Sequence, residues 1–467
     1  MKAAGNAEAV VSSSSEIKKS VPWIYFVIFF AVLNESVFNV STPNIAAQFG
    51  LDESGVSWVV TVFFVVFGMG MVVFGKLSDM YSVKKLITIG IVVYTLGSAL
   101  GFALQNWYPG VIAARAVQGV GGSAIPALVF VMVARYFTPQ ERGKLFGVIT
   151  STVSFAVGIG PVLGGYVAGS LHWSYLFLVS VPVLIAIPSF RKLLPNEERR
   201  PGSLDVVGTA LIGGFIALLM LATEVNLSFL WAALAVLALF AFHIRRAKHP
   251  FVEPSLFALA PYRNALLIGF LIFGSVFSIM FIIPLMLSNM YGLSTEAIGL
   301  VMFPGAFSAV IFGRVAGHLV VKRGSHFVVY AGLALIAVSL LLQSSFIGLW
   351  VWYIGFFLIL MYIGFSFAQT ALAESVTQIL PPRQIGVGMG FFNMVSTISG
   401  AVVTAVVAKM IEVELFAFRL HPALSDAASF LYGNMILILS AIVVLSAIVY
   451  FASFRNRGVR LGNEPAH

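Results

Sequence analysis

The sequence predicts an all-α integral membrane protein, and three observations support this fold class. Its 467 residues are 60% hydrophobic and only 10% charged, a composition that soluble domains of this size do not have. Apolar runs of about 17 to 25 residues, long enough to cross a bilayer as a helix, recur along most of the chain. Backbone polar groups must be satisfied inside the bilayer and no short alternating strands are evident, so these runs are predicted to be helices.

Fourteen apolar runs are predicted to span the membrane. In chain order they lie near residues 22–46, 57–75, 86–105, 110–133, 145–169, 174–190, 206–223, 227–243, 265–289, 297–321, 326–345, 348–373, 385–409 and 430–453. The segment before the first run is too polar for a signal-peptide core, and the run itself is too long for one. We therefore expect a short N-terminal tail followed by a retained span.

Basic residues predict the orientation of the chain. With the N-terminus inside, 23 Lys and Arg residues fall in cytoplasmic segments, whereas only Lys409 and Arg419 fall outside. This imbalance follows the positive-inside rule, so both termini are predicted to be cytoplasmic. The net charge of +9 thus reflects topology, and no nucleic-acid partner is predicted. Cys is absent, which excludes disulfides and thiolate sites.

An internal repeat divides the helices into two sets. GLDESGVS at Gly50 recurs as GLSTEAIG at Gly292, and GKLSDMYS at Gly75 recurs as GHLVVKRG at Gly317, both 242 residues later. A third block repeats at 243 residues, its matched pairs being Pro139 and Pro382, Gly143 and Gly386, and Gly147 and Gly390. The shared offset predicts two homologous six-helix bundles, and parallel repeats of this kind predict a substrate site between the halves.

The predicted organisation follows from this repeat. It comprises a cytoplasmic tail (1–20), an N-terminal six-helix bundle (21–200), two inserted linker helices (201–250), a C-terminal six-helix bundle (251–454) and a second cytoplasmic tail (455–467).

Charged side chains inside the spans are the first candidates for a functional site, because charge in hydrocarbon is costly. Arg115 lies in RAVQGVGGSAIP of the fourth span, and Glu35 in VLNESVFNV of the first. At about 1.5 Å per residue, both lie in the outer half of the bilayer. Burial favours a protonated Glu35 and a nearby Arg115 favours its ionised form, so this pair is predicted to couple proton movement. A purely structural ion pair is the alternative.

Two further groups are predicted to act in gating. Asp79, near a helix end, is expected to pair with Arg142 in the next cytoplasmic loop and to contribute to coupling. In the fifth span, small residues around a proline predict a bend and a close helix approach. This group comprises Gly158, Gly160, Pro161, Gly164 and Gly165.

Polar and aromatic residues of central helices are predicted to line an amphipathic substrate pocket. With Glu35 and Arg115, the pocket set comprises Asn34, Asn39, Gln118, Phe277, Met280, Gln369, Phe392 and Asn393. His318, within the tenth span, is a further candidate for coupling. Glu374 lies about a full helix length from the outer end of its helix, which predicts a position at the inner surface.

Motifs of other function classes are missing. QGVGGSA contains the pattern GxGxxA, but it lies inside an apolar helix and no strand precedes it, so a dinucleotide site is not expected. The chain contains no HExxH, GxSxG or GxxxxGK[ST], which removes the usual signatures of proteases, hydrolases and ATP-driven pumps. We predict no enzyme activity, no cofactor and no metal site in the protein. A membrane-bound enzyme or receptor is the remote alternative.

Four motifs resemble those of the major facilitator superfamily, in its fourteen-helix drug/proton antiporter branch. GKLSDMYSVKK resembles the loop motif between helices 2 and 3, RAVQGVGG that of helix 4, and GIGPVLGGY the antiporter motif of helix 5. LNESVFNVSTP resembles the helix 1 motif, with Asn34 in place of the usual Asp and the carboxylate at Glu35. The resemblance implies the major facilitator fold and alternating access coupled to protons.

Within that branch, five segments are similar to Gram-positive tetracycline/proton antiporters of the K and L classes: FAVLNESVFNVS, VFGKLSD, PALVFVMVARYF, HWSYLFL and HPFVEP. This similarity implies tetracycline export by a monomer in the bacterial plasma membrane. The drug would travel as a divalent-metal chelate, so that metal would belong to the substrate. A multidrug/proton antiporter, a Na⁺ or K⁺/proton antiporter and a nutrient importer of the same superfamily are the alternatives.

Overall fold

The computed structural model describes residues 16–39, 41–51, 53–198, 205–224, 226, 228–247, 250, 252–293, 295–381, 384–424 and 426–454. Within these ranges the chain is helical and has no strand, so the predicted all-α fold class is confirmed. The α-helices are α1 (Val21–Asn39), α2 (Thr42–Phe49), α3 (Glu53–Met80), α4 (Val83–Ala103), α5 (Tyr108–Tyr136), α6 (Pro139–Ser170), α7 (Ala186–Leu193), α8 (Val206–Glu224), α9 (Phe229–Arg246), α10 (Pro254–Ala258), α11 (Ala260–Tyr291), α12 (Thr295–Arg323), α13 (Ser325–Ser345), α14 (Trp352–Ile379), α15 (Ile385–Glu412) and α16 (Ala427–Phe454). A 3-10 helix, Trp173–Ile185, leads into α7.

Among the described residues, thirteen helical segments are long and apolar enough to cross a membrane. The fourteenth predicted span corresponds to α8, whose apolar part, Val206–Leu219, is shorter. The protein is therefore a multi-pass membrane protein. Below, "inner" and "outer" refer to the orientation predicted from the basic residues.

The first predicted span, 22–46, is two helices rather than one. α1 ends at Asn39, and α2 begins at Thr42 with a proline in its first turn. A proline is readily accommodated there because the amide hydrogen that it lacks would have no partner inside the helix. Just before α2, the Ser41 hydroxyl donates to the Val37 carbonyl at 3.2 Å.

Two glycines related by the repeat end helices in the same way. Gly50 follows α2 with φ +62°, and Gly292 follows α11 with φ +63°. This left-handed conformation is costly for residues with a Cβ, so glycine is favoured at both helix ends. The 242-residue offset seen in the sequence thus matches a shared backbone conformation.

The chain divides into two compact units. Unit 1 takes its described residues from Met1–Arg142, Thr152–Pro254 and Leu380–Met394, and unit 2 from Gly143–Ser151, Ser255–Ile379 and Val395–His467. Most of each predicted bundle lies in one unit. The inner end of α6 groups with unit 2 and the first half of α15 with unit 1. The predicted tails lie largely outside the described residues, and the domain boundaries remain a prediction.

Each unit contains a backbone contact between glycines. In unit 1, a Cβ placed on Gly75 of α3 would lie 2.4 Å from the carbonyl oxygen of Gly386 in α15. In unit 2, a Cβ placed on Gly317 of α12 would lie 2.5 Å from the carbonyl oxygen of Gly143 in α6. No side chain fits at either place, since real Cβ atoms do not approach that closely. The repeat pairs Gly75 with Gly317 and Gly386 with Gly143, so one repeated contact occurs twice.

The two inserted helices belong to unit 1. α8 packs against α3, where Gly213 leaves space for the end of the Met69 side chain, and α9 packs against α8. At their inner ends the His243 Nε2 lies 2.9 Å from the Asp205 carboxylate. At the opposite end of α9, Trp231 is 76% exposed.

The buried side chain of His421 fixes an outer loop of unit 2 by hydrogen bonds. His421 Nδ1 accepts a hydrogen bond from the Ala423 backbone at 3.1 Å, and Nε2 lies 3.3 Å from the hydroxyls of both Ser344 and Ser345. Asn434 of α16 accepts from the His421 backbone amide and donates to two carbonyls of the same loop. Because Nδ1 is an acceptor, the proton of the neutral ring lies on Nε2, which donates to the serines.

Candidate functional site

Arg115 is the centre of a polar cluster inside unit 1. Its side chain is fully buried in α5, the helix of the RAVQGVGG motif. Nε donates to the Val59 carbonyl at 3.0 Å, and Nη1 donates to Asn34 Oδ1 at 3.2 Å and Gln118 Oε1 at 3.0 Å. The prediction that Arg115, Asn34 and Gln118 lie together is supported by these contacts.

Two aromatic rings enclose the guanidinium. The rings of Phe38 and Phe63 each have their centroid 4.1 Å from the Arg115 Cζ. A cation over aromatic faces is stabilised by the ring quadrupole, most strongly when it is desolvated. The rings therefore offset part of the cost of burying this charge and fix its position.

The cluster extends along Gln118 and leaves two donors unused. Gln118 Nε2 donates to Ser98 Oγ at 2.8 Å, and Ser98 also contacts the Ser180 hydroxyl. Arg115 Nη2 and Asn34 Nδ2 are buried and have no hydrogen-bond partner among the described residues. Buried donors are rarely left unsatisfied, so this pair can receive an acceptor from a side chain, water or substrate.

Glu35 follows Asn34 on α1 and is half-buried. Its carboxylate is close enough to Arg115 for the two charges to interact, but no ion pair within 4.0 Å joins them. The structure thus brings the two predicted coupling residues into one neighbourhood without a direct bond. Glu35 can gain or lose a proton while the contacts of Arg115 to the two amides persist.

Asp79 lies at the inner end of α3 and caps α15. Its Oδ1 accepts from the Gly386 amide and its Oδ2 from the Val387 amide, both at 3.2 Å. An acidic side chain at a helix N-terminus satisfies first-turn amides and interacts favourably with the helix dipole. The same carboxylate forms an ion pair with Arg135.

The predicted pairing of Asp79 with Arg142 is wrong in this structure. Arg142 Nε instead donates to the Phe137 carbonyl at 3.0 Å. The physical reason is helix packing: Arg135 lies in the last turn of α5, which packs against α3, whereas Arg142 folds back over the loop before α6. Arg135 Nη1 also donates to the Ser78 carbonyl at 2.7 Å, joining the ends of the two helices.

The predicted gating residues of the fifth span lie in α6, which continues as one helix through position 161. A Cβ placed on Gly160 would lie 2.1 Å from the Ser36 hydroxyl, so Gly160 permits close packing with α1. Gly164 is buried, Gly158 is half-buried, and a Cβ on Gly165 would meet nothing within 4 Å. The side chain of Pro161 lies outside the described residues.

The other predicted pocket residues are distributed over both units. Phe392 and Asn393 of α15 belong to unit 1 and are buried, and Asn393 Nδ2 has no partner among the described residues. In unit 2, Phe277 and Met280 lie on α11, and Phe277 packs edge-on against Phe365 at 6.4 Å between ring centroids. Gln369 of α14 has a buried Oε1 that accepts no hydrogen bond from the described residues. The side chain of Asn39 lies outside the described residues.

One exposure predicted from the sequence is wrong. Glu374, expected at the inner surface, is 1% exposed in α14, where its Oε1 accepts from Gln378 Nε2 at 3.0 Å. The count of residues gave its distance along the helix but not the side of the helix on which it lies. His318 is exposed, and its ring contacts the Arg314 carbonyl of its own helix.

Thirteen described segments long and apolar enough to span a membrane, together with a buried charged cluster, are typical of a membrane transporter. The chain belongs to the Major Facilitator Superfamily, whose family model matches residues 24–404. The protein is therefore a transporter and not an enzyme.

Similar proteins agree with this assignment. The chain is 27% identical over 400 residues to the riboflavin transporter RibZ of Clostridioides difficile (strain 630), covering 82% of this chain and 87% of that protein. It is 26% identical over 331 residues to multidrug resistance protein 3 of Bacillus subtilis (strain 168), covering 68% and 64%. The crystal structure of the human organic anion transporter MFSD10 (TETRAN) superposes with a TM-score of 0.70 at 16% identity, covering 93% of this chain and 99% of that chain.

Proposed function

We propose that the protein is a proton-coupled drug efflux antiporter that works as a monomer in the bacterial plasma membrane by alternating access. The observation that carries this proposal is the buried Arg115, held by neutral amides and aromatic rings while the nearby Glu35 forms no ion pair with it. A fixed cation beside a carboxylate free to titrate is suited to proton exchange.

Glu35 is the proposed proton carrier. Burial disfavours the ionised form of Glu35, whereas the fixed guanidinium of Arg115 favours that form. A small change around the carboxyl therefore shifts its protonation equilibrium. When substrate enters from the inside, the Glu35 carboxyl O–H bond breaks and the proton leaves to inner water. The unused donors Arg115 Nη2 and Asn34 Nδ2 then satisfy the carboxylate or an acceptor atom of the substrate. On the outer side substrate departs and the carboxylate takes up a proton.

Amphipathic drugs are the proposed substrates. The amides and aromatic rings around Arg115 match molecules that present both acceptors and apolar surface. The sequence segments similar to tetracycline antiporters make a tetracycline–divalent metal chelate the first compound to test. Two relatives are named as multidrug resistance proteins, which supports a wider panel that includes a cationic dye.

Vitamin import is a second candidate function. A relative that is similar over 82% of this chain is a riboflavin transporter, and riboflavin is also an aromatic, polar molecule. The direction of transport distinguishes the two functions. An antiporter moves substrate out of the cell as protons enter, whereas an importer moves substrate into the cell.

Everted vesicles with an acidic lumen test the proposal directly. We expect uptake of a drug into the lumen that collapses when the pH gradient is dissipated, with Mg²⁺ required only if tetracycline is the substrate. Glu35→Gln should abolish this uptake while substrate exchange in the absence of a gradient persists. The matched control is Glu412→Gln, since Glu412 is exposed and pairs only with Lys409 in the described chain.

Three outcomes would contradict the proposal. Full gradient-driven uptake by Glu35→Gln would remove Glu35 from the proton path. Transport of riboflavin into right-side-out vesicles, with no drug movement, would establish import. Movement of Na⁺ or K⁺ without any organic substrate would establish cation exchange.

A further inference from the structure

α12 carries a basic face that the proposed function does not use. Arg314, His318 and Lys322 are spaced four residues apart and therefore lie on one side of the helix. All three side chains are exposed. None forms an ion pair with an acidic residue of the described chain.

The same side of α12 is apolar further out. Phe303, Phe307, Ile311 and Val315 are between 38% and 58% exposed. An open surface depression of about 410 Å³, hereafter the groove, runs along α12 where the apolar and basic parts meet, and all six residues that line it belong to this helix: Ile311, Arg314, Val315, His318, Leu319 and Lys322. The groove thus offers an apolar wall at one end and cationic groups at the other.

The depth of Arg314 makes an anionic partner favourable. It lies nine residues before the inner end of α12 at Arg323, which is about 14 Å along the helix axis. A cation that far into the bilayer is costly unless its long side chain reaches the interface or an anion lies beside it. The inner leaflet supplies anionic headgroups at that interface, and basic pockets on helices at the cytoplasmic side bind them.

We propose that this groove binds an anionic phospholipid of the inner leaflet. Its phosphate lies between Arg314 and Lys322, with the His318 ring beside it, and one acyl chain follows Val315, Ile311 and Phe307 outward. Apolar side chains with substantial exposure on the same face fit a hydrocarbon chain better than a water-filled route. The lipid site is independent of the drug and of the proton-carrying residue.

Fluorescence quenching in nanodiscs tests the site, because the chain contains no Cys. A fluorophore on Val315→Cys is compared in discs that contain brominated phosphatidylglycerol or brominated phosphatidylcholine. We expect stronger quenching by the anionic lipid, and a fall in its apparent preference of about fivefold for each basic side chain removed. Arg314→Gln with Lys322→Gln should therefore equalise the two lipids.

Two matched controls define the specificity of this signal. A fluorophore on Phe303→Cys reports the same face of α12 outside the basic groove and should show no lipid preference. Lys84→Gln with Lys85→Gln removes two other basic side chains near the inner end of α4 and should leave the preference at Val315 intact. Circular dichroism and size-exclusion profiles verify that each variant is folded.

Three results would overturn the proposed site. The first is equal quenching at Val315 by both lipids in the unaltered basic groove. The second is displacement of the anionic lipid by inorganic phosphate, which would indicate a soluble ligand. The third is rapid reaction of the Val315→Cys thiol with a membrane-impermeant maleimide, which would mean that this face contacts water.

Discussion

Arg115 and Glu35 lie within electrostatic reach of each other in unit 1, but no ion pair joins them. The guanidinium is held instead by Asn34 and Gln118 and by two phenylalanine rings. Its position therefore does not depend on the charge of Glu35. This arrangement distinguishes a fixed countercharge from a structural ion pair, whose two members hold each other in place.

The first prediction concerns Arg115. Arg115→Ala should abolish gradient-driven transport and destabilise the fold, because Asn34 Oδ1 and Gln118 Oε1 each lose a buried donor at a cost of about 1 to 3 kcal/mol. Arg115→Lys should recover part of the stability and little transport, since an ammonium cannot reproduce the planar fork. Counterflow and thermal unfolding measure the two effects. Additive effects of Arg115→Ala and Glu35→Gln on the free energy of unfolding would show that the residues do not interact.

The second prediction concerns the cap on α15. Asp79→Asn removes the charge that faces the helix dipole and Arg135, which should weaken the contact between α3 and α15 by up to about 2 kcal/mol. Val387 is buried at this contact, so thiol labelling of Val387→Cys should accelerate and the inward-open population should rise. Glu412→Gln is the control. Unchanged labelling together with normal transport would show that Asp79 has no role in gating.

The third prediction concerns the two glycine contacts. Gly75→Ala and Gly317→Ala each force backbones apart, and overpacking of this kind costs about 1 to 3 kcal/mol. Both variants should lower the thermal midpoint and slow transport. Gly299→Ala is the matched control, because a Cβ there meets nothing within 4 Å and alanine favours a helix by about 1 kcal/mol. A similar loss in all three variants would attribute the effect to glycine content rather than to the contacts.

The fourth prediction concerns pH at the outer loop. Burial lowers the pKa of His421 below its ordinary value, so the neutral ring stabilises the loop above about pH 6.5 and this stability falls as the pH drops below it. Protonation also removes the Nδ1 acceptor used by Ala423. Hydrogen exchange of the loop amides, corrected for intrinsic rates, should increase at the lower pH. His421→Gln should exchange independently of this transition, and a persisting transition would assign it to another group.

The sequence predicted the helices well because apolar length alone defines them. It also identified Arg115 and its amide neighbours, since polar groups inside apolar runs are few. Phe38 and Phe63 gave no such signal, because aromatic residues in a membrane helix are indistinguishable from ordinary core. Only the packing of α1 and α3 around α5 shows that these two rings enclose a cation.

Rotation about the helix axis accounts for the main errors at the site. Glu374 was expected at the inner surface but is buried, and Asp79 was expected to pair with Arg142 but pairs with Arg135. Arg314 was missed, although the rule that selected Arg115, a charge inside an apolar span, applies to it equally. A residue count gives depth in the membrane, and the facing side depends on contacts that are distant in sequence.

Because α8 and α9 are packed on the outside of unit 1 as a pair, they can be added or removed together. Helices added as a pair enter and leave on the same side of the membrane, so sidedness downstream is preserved whether the pair is present or removed. Since α9 packs against α8 and α8 against α3, excision would uncover the apolar Met69 side chain on α3, which lipid can cover. A version of this transporter without α8 and α9 would therefore keep its later helices in the same orientation across the membrane.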